Sequence, residues 1–284
     1  MPAIQEPPIA TSTFALTLLT KDTAWAAAAD AAGVARIGVD IERMGKVERQ
    51  ARVWGARISD HTLADLIVIA KVLRRARAFV RINPFHGGTR VEIERALQAG
   101  AQSIMLPQVR HASEVHEFVR MMEGRAESLL LLETKEALVD MDAIFAIDGV
   151  DEVMVGLNDL SLALGMKHPM QLLASSILED IVVRAKRAGR PIGIGGVAGP
   201  EAPSPLPVSP DLVLARHAAL GSQSAWIARS FHEHLTPGTI GNAIHRLQAR
   251  LHFWFTRSKE HLRDAGRELN ECIYERFFHA SPRS

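Results

Sequence analysis

The chain contains one cysteine, Cys272, in 284 residues. An internal disulfide is therefore impossible, and such thiol usage suits a reducing compartment. Neither sign of charge is in excess: Lys and Arg number 33 against 32 Asp and Glu, leaving +1. That balance gives no reason to expect nucleic acid or membrane as a partner. No window holds 18 uninterrupted apolar residues, which argues against a membrane-spanning helix. The opening MPAIQEPPIATST lacks a basic start and a sustained apolar run, so no secretory leader is legible. Repeats and low-complexity stretches are also missing. What remains is ample core material, 47% hydrophobic residues, and the expectation of a soluble, cytoplasmic protein.

Short apolar runs rich in strand formers recur along the chain. They are FALTLLT (14–20), RIGVDIE (36–42), AFVRIN (78–83), SIMLPQV (103–109), LLLLET (129–134), DEVMVGL (151–157), PIGIGG (191–196) and QSAWIARSF (223–231). They lack polar alternation, as strands buried on both faces of a parallel sheet do. Amphipathic stretches such as HTLADLIVIAKVLRRAR and ASEVHEFVRMM separate them, several ending at Gly or basic residues. Eight strands alternating with helices predict an α/β fold, a (β/α)8 TIM barrel over 14–235. A doubly wound open sheet is the rival. The proline-rich GPEAPSPLPVSPD (199–211) reads as a loop after the seventh strand. From 236 to 280 the pattern turns purely helical, with Ile240, Ile244, Leu247, Leu251, Trp254, Phe255, Leu262 and Leu269 near helical spacing. This extended C-terminal helical tail carries more apolar surface than one solvated helix needs.

In such a barrel the chemistry stands at the C-terminal strand ends. There the sequence places Asp40 and Glu42, Arg81 and Asn83, Gln108, Glu133, then Asn158 and Asp159, and finally the glycines of GIGG. Glu133 and Asp159 close successive apolar strands, so both carboxylates project into one mouth. Two anions there repel unless a divalent cation or a buried arginine lies between them. Mg²⁺ prefers few carboxylates completed by water and substrate oxygens. Arg81 offers a planar fork for a substrate carboxylate. Each residue also has a plainer reading. Asp159 serves equally as a helix N-cap, Glu133 as the partner of a helix cation, Arg81 as a structural ion pair, and GIGG as tight backbone geometry. The metal reading draws on the set together.

The run LLLETKEALVDMDAIFAIDGVDEVMVGLNDLSLALG closely resembles the HpcH/HpaI aldolase and citrate lyase β-subunit family, as do AGVARIGVDIER, VRINP, EIERALQAGAQSIMLPQV and PIGIGG in the same order. The resemblance spans about 14–231. It implies a TIM barrel that uses Mg²⁺, Mn²⁺ or another divalent cation to hold a pyruvate-like 2-oxo acid. It further implies Glu133 and Asp159 as metal ligands, and Arg81 as the group that stabilises the enolate or binds a substrate oxygen. Backbone amides from Gly156 through Leu157 and Asn158 to Asp159 would cradle the substrate carboxylate. Two departures stand out. The family's aldolases carry Asp-x-Glu-His on strand two, where this chain has Asp40-Ile41-Glu42-Arg43, and their glutamine two residues before the metal glutamate is Leu131 here. The base is then open among Glu42, His86 in RINPFHGGT and His61 in SDHT. ERMGKVERQAR adds Arg43, Lys46, Arg49 and Arg52, either a solvated helix face or an electropositive lip for a second anionic substrate.

These readings lead to a metal-dependent carbon–carbon lyase or aldolase working through a pyruvate-type enolate. Decarboxylation of oxaloacetate would form that enolate without C–H abstraction. The alternatives are acyl-CoA lyase or thioesterase chemistry, and a non-catalytic metal-binding barrel acting as scaffold. The tail adds the expectation of a homo-oligomer in which part of it crosses to a neighbour.

Overall fold

The computed structural model describes residues 14–50, 59–199, 207–231 and 235–277. Arg52, the opening segment, most of the proline-rich loop and the last residues of the tail lie outside them. The first half of the barrel runs β1 (Ala15–Leu19), α1 (Thr23–Ala31), β2 (Arg36–Asp40), α2 (Lys46–Gln50), α3 (Leu63–Val72), β3 (Arg77–Arg81), α4 (Thr89–Gln98) and β4 (Ser103–Leu106). Next come α5 (Ala112–Met122), β5 (Glu127–Leu132), α6 (Lys135–Phe145), β6 (Glu152–Val155), α7 (Leu157–Ala163), α8 (Pro169–Leu173) and α9 (Ser176–Arg187). The chain continues through β7 (Ile192–Val197), α10 (Pro210–Leu220), β8 (Ser224–Ile227), α11 (Pro237–Phe255) and α12 (Lys259–Phe277). All eight apolar runs became strands, each paired in parallel with the next, and β8 closes on β1. The open-sheet rival is excluded.

The strand period of two sorts side chains between the two sides of the sheet. On β5, Leu130 and Leu132 belong to the large core between sheet and helices, whereas Leu129 and Leu131 join a separate inner cluster with Phe79, Met105 and Met154. That inner cluster fills the barrel's middle. Each such fully buried side chain contributes about 1.5–3 kcal/mol. Leu131, where the resembled aldolases have glutamine, thus belongs to the apolar plug.

Helix starts follow local chemistry. Asp22 caps α1, Thr62 forms a reciprocal capping box with Asp65 on α3, and Thr134 caps α6 through Ala137 N. The tail folds back on its own chain: α11 packs on α1 and α10, and α12 on α10 and α8. Ile240, Ile244, Leu247, Leu251 and Leu269 are buried there. Asp211 holds α11 by accepting from Arg250 Nη2 (2.6 Å) and Trp254 Nε1 (3.0 Å). Most of the apolar stripe is therefore covered within the chain, whereas Phe255 is left exposed. No described helix is long and apolar enough to cross a membrane.

Candidate active site

The inward register of β5 (Glu127, Leu129, Leu131) carries on to Glu133, which stands one residue past the strand at the C-terminal mouth. Thr134 fixes that turn: its hydroxyl donates to Val109 O (2.6 Å) while accepting from Ala137 N (3.1 Å). Gln108 N donates to Glu133 Oε1 at 3.1 Å. Gln108 is in the left-handed region, φ 53°, an uncommon conformation for a non-glycine residue. Gly156 leaves the room Glu133 occupies, because a Cβ there would come within 2.5 Å of Glu133 Oε2.

Asp159 lies in the first turn of α7, whose N-cap is Gly156 without a side-chain cap bond. The capping reading of Asp159 is thereby corrected: the helix is already under way when the carboxylate appears. Its Oδ1 is buried and makes no hydrogen bond, and the same is true of Gln108 Nε2 and Arg49 Nε. A cavity of about 400 Å³ opens here, lined by Arg49, Gln108, Arg110, Glu133, Lys135 and Asp159 among others. Burial pushes the Glu133 carboxyl above its ordinary range, and the Asp159 and Glu42 charges push the same way. Burial likewise raises Asp159, against the pull of Arg49.

On the other side of the mouth the charges are matched. Asp40 accepts both Arg81 Nε (2.9 Å) and Arg81 Nη2 (2.7 Å), and also Lys46 Nζ (2.6 Å). Burial opposes ionisation of Asp40, yet Arg81 and Lys46 outweigh it and hold the carboxyl far below the usual range. The Arg81 fork is thus engaged by Asp40, and its guanidinium lies over the Trp226 ring at 4.8 Å. Glu42 meets Lys46 Nζ at 3.1 Å, Arg81 Nε at 3.4 Å, and Arg49 directly.

The basic run after β2 turns out divided. Lys46 is buried in the carboxylate pair and Arg49 reaches into the cavity, whereas Arg43 donates to Glu42 O and His61 O on its own side. Two of its cations therefore face inward, which sequence spacing signals only as Lys46 standing four residues after Glu42. His61 Nδ1 accepts from Asp40 N (3.2 Å), and burial lowers its imidazole from the ordinary range. Arg81 and Glu42 stand beside the cavity rather than in its lining, and His86 is not in the lining either. Its Nδ1 accepts from Gly88 N (3.0 Å) and its Nε2 lies 3.5 Å from Glu92, which also holds Asn83. Asn83 in turn accepts from Arg43 N and Met44 N, tying the β2 loop to β3. Asn158 is exposed and Leu157 is buried against Gly195, where a Cβ would clash at 2.6 Å. The Gly156 amide already donates to Leu132 O, so the free first-turn amides begin at Leu157.

Residues 50–198 match the sequence model of the HpcH/HpaI aldolase/citrate lyase family. The chain belongs to that family. Among its relatives, a hydroxypyruvate/pyruvate aldolase of Roseovarius nubinhibens is 30% identical over 133 residues, 36% of this chain and 52% of that protein. A pyruvate aldolase of Rhizobium etli is 25% identical over 177 residues, covering 50% and 68%. The chain spans about half the length of the first of these curated relatives. In structure, a family protein from Burkholderia cenocepacia J2315 superposes with a TM-score of 0.59 at 17% identity, covering 76% of this chain and 88% of that one. An HpcH/HpaI aldolase from Desulfitobacterium hafniense DCB-2 gives 0.57 at 20%, covering 77% and 88%. These likenesses establish the fold.

The site's donor set suits a hard divalent cation. Two carboxylates, one just past β5 and one in the first turn of α7, the latter with an orphaned buried oxygen, leave positions for water and substrate. Among the described residues no group of three His, Cys, Asp or Glu could hold a metal unaided. Glu133 and Asp159 thus fit an ion that shares its coordination with substrate.

Proposed function

We propose that the chain is a divalent-metal-dependent carbon–carbon lyase or aldolase acting on a pyruvate-type 2-oxo acid. The observation that carries this reading is the pair Glu133 and Asp159, both drawn from water with raised carboxyls and facing one cavity. Mg²⁺ or Mn²⁺ held by these two residues would supply Lewis acidity to the 2-oxo group. Arg81, fixed by Asp40, places a permanent positive charge beside the mouth, where negative charge develops on the substrate oxygen. The first-turn amides of Leu157, Asn158 and Asp159 orient the substrate carboxylate. In cleavage the bond between C3 and C4 breaks, its electron pair stays with the pyruvate fragment as the enolate, and the C4 hydroxyl proton must leave. We assign that proton to Glu42, which stands among the mouth charges, rather than to His86, which faces Glu92.

The test is direct. With Mg²⁺ or Mn²⁺ the protein should release CO₂ from oxaloacetate faster than metal alone, and should join pyruvate to an aldehyde. Glu133→Gln should do neither. Release of free thiol from an acyl-CoA, with no action on oxaloacetate, would move the chain to the acyl-CoA alternative. Inertness toward all of these, with metal still bound, would favour the scaffold reading.

A further inference from the structure

Arg49 lies between Glu42 and Asp159. Its Nη2 donates to Glu42 Oε1, while its Nε lies 3.7 Å from Asp159 Oδ2. That separation is an ion pair but too long for a hydrogen bond, and Arg49 Nε and Asp159 Oδ1 are both left without one. The guanidinium is therefore anchored on one carboxylate and only loosely engaged with the other. Its backbone support is short: α2 has five residues, begins after Gly45 at φ 64°, and is pinned inward by Lys46 on Asp40. The three basic side chains paired with Asp40, Glu42 and Asp159 differ in this respect. Arg81 and Lys46 hold Asp40 with direct bonds of 2.6–2.9 Å, whereas the contact of Arg49 with Asp159 is open.

Resting on the metal reading of the site, we infer that Arg49 is a built-in counter-cation for Asp159 that a divalent ion displaces. In the metal-free protein the guanidinium balances the Asp159 carboxylate. When the ion arrives, Arg49 withdraws from Asp159 and stays on Glu42, which needs no movement of α2. The residue thus sets how tightly the site takes its metal, and it is a positioning residue rather than a catalytic one. Sequence spacing hides it, because its partner Asp159 stands on α7 at the far side of the mouth.

The experiment is calorimetric titration of the full-length, metal-free protein with Mn²⁺, for wild type, Arg49→Gln and Arg49→Lys. Removing one positive charge from beside the ion should tighten Mn²⁺ binding about tenfold in Arg49→Gln. Arg49→Lys, which keeps the charge, should stay within about twofold of wild type. Thermal unfolding of the metal-free proteins supplies a second readout. Arg49→Gln should melt lower than wild type without metal and regain the difference with saturating Mn²⁺. Unchanged or weaker Mn²⁺ binding in Arg49→Gln overturns the inference, leaving Arg49 as a mere strut for α2. If Arg49→Gln fails to fold, Arg49→Lys decides alone through the thermal readout: unaltered metal-free stability supports the role of charge, and lost stability overturns it. Binding in Arg49→Gln but not in wild type supports the inference most strongly. Absence of binding in both proteins overturns the metal reading and this inference together, whereas normal binding in wild type with no gain in the variant overturns only the latter.

Discussion

The barrel carries a charged layer at each end of its apolar plug, and the two layers are built on opposite terms. At the N-terminal end Arg36 donates to Glu127 (3.1 Å) and forks onto Glu152 (2.8 and 3.1 Å), and Ser224 Oγ completes Glu152 at 2.6 Å. None of these side-chain atoms is left unpaired among the described residues. At the C-terminal end Glu133 and Asp159 face a cavity, with orphaned polar atoms around them. A buried charge layer that is fully bonded can only support the fold. One that is left incomplete costs stability and retains the capacity to bind. The contrast favours the C-terminal end as the candidate site, independently of any likeness to other proteins.

The largest way to break that contrast lies at the supporting end. Arg36→Met removes the sole fork on Glu152 and strands a buried carboxylate, so it should lower unfolding free energy by about 3–5 kcal/mol in urea titrations. A loss under ~1 kcal/mol would mean that this layer is not the strut described. At the C-terminal end the expected damage is to chemistry. Asp159→Asn or Glu133→Gln should reduce metal-dependent turnover by about 10²–10³-fold, roughly 3–4 kcal/mol of barrier, with far-UV circular dichroism unchanged. Wild-type Mn²⁺ affinity in either variant would displace the site from these residues.

Arg81 joins the matched and unmatched halves of the mouth, so a conservative change there sharpens the comparison. Arg81→Lys keeps the charge but loses the two-pronged hold on Asp40 at 2.7 and 2.9 Å and the seat over Trp226. It should lower kcat/KM by about 10–100-fold, ~1.4–2.8 kcal/mol. An unchanged kcat/KM would make Arg81 purely structural.

Much of this was legible in the sequence because strand-end positions follow from a period of two. Once eight apolar runs are recognised, Glu133 and Arg81 have to reach the mouth, and Asp159 follows from the turn after β6. What was hidden depends on loops. The inward turn of Lys46 and Arg49 is set by Gly45 and by pairing with Asp40 and Glu42 across several residues, a tertiary contact with no period. His86 was a reasonable loop candidate, but Glu92 on α4 lies beside it. Most of the tail's stripe is buried against α1, α8 and α10 of the same chain, and Phe255 at the end of α11 is left exposed.

The smallest expected effect bears most directly on the comparison, because it asks whether the open layer destabilises the protein. Glu133 is buried, and its carboxyl is raised above the ordinary 4.5 by that burial, then by Asp159 and Glu42. A carboxyl whose folded value is raised favours the folded state while protonated, below its unfolded value. That advantage disappears as pH climbs through the raised folded value. Without metal, the wild type should therefore lose stability between about pH 5 and pH 8 through this group. Glu133→Gln keeps an oxygen to accept from Gln108 N but carries no charge, so it should be free of that loss. At pH 8 the metal-free variant should be more stable than wild type by on the order of 1–2 kcal/mol, and at pH 5 the two should converge. Adding Mn²⁺ should reverse the order at pH 8, because only the wild type gains the binding energy. Thermal melts at the two pH values, with and without metal, give four comparisons. If the metal-free wild type matches or exceeds Glu133→Gln at pH 8, the mouth carboxylates are as well balanced as those beneath, and the two ends of the barrel do not differ as described.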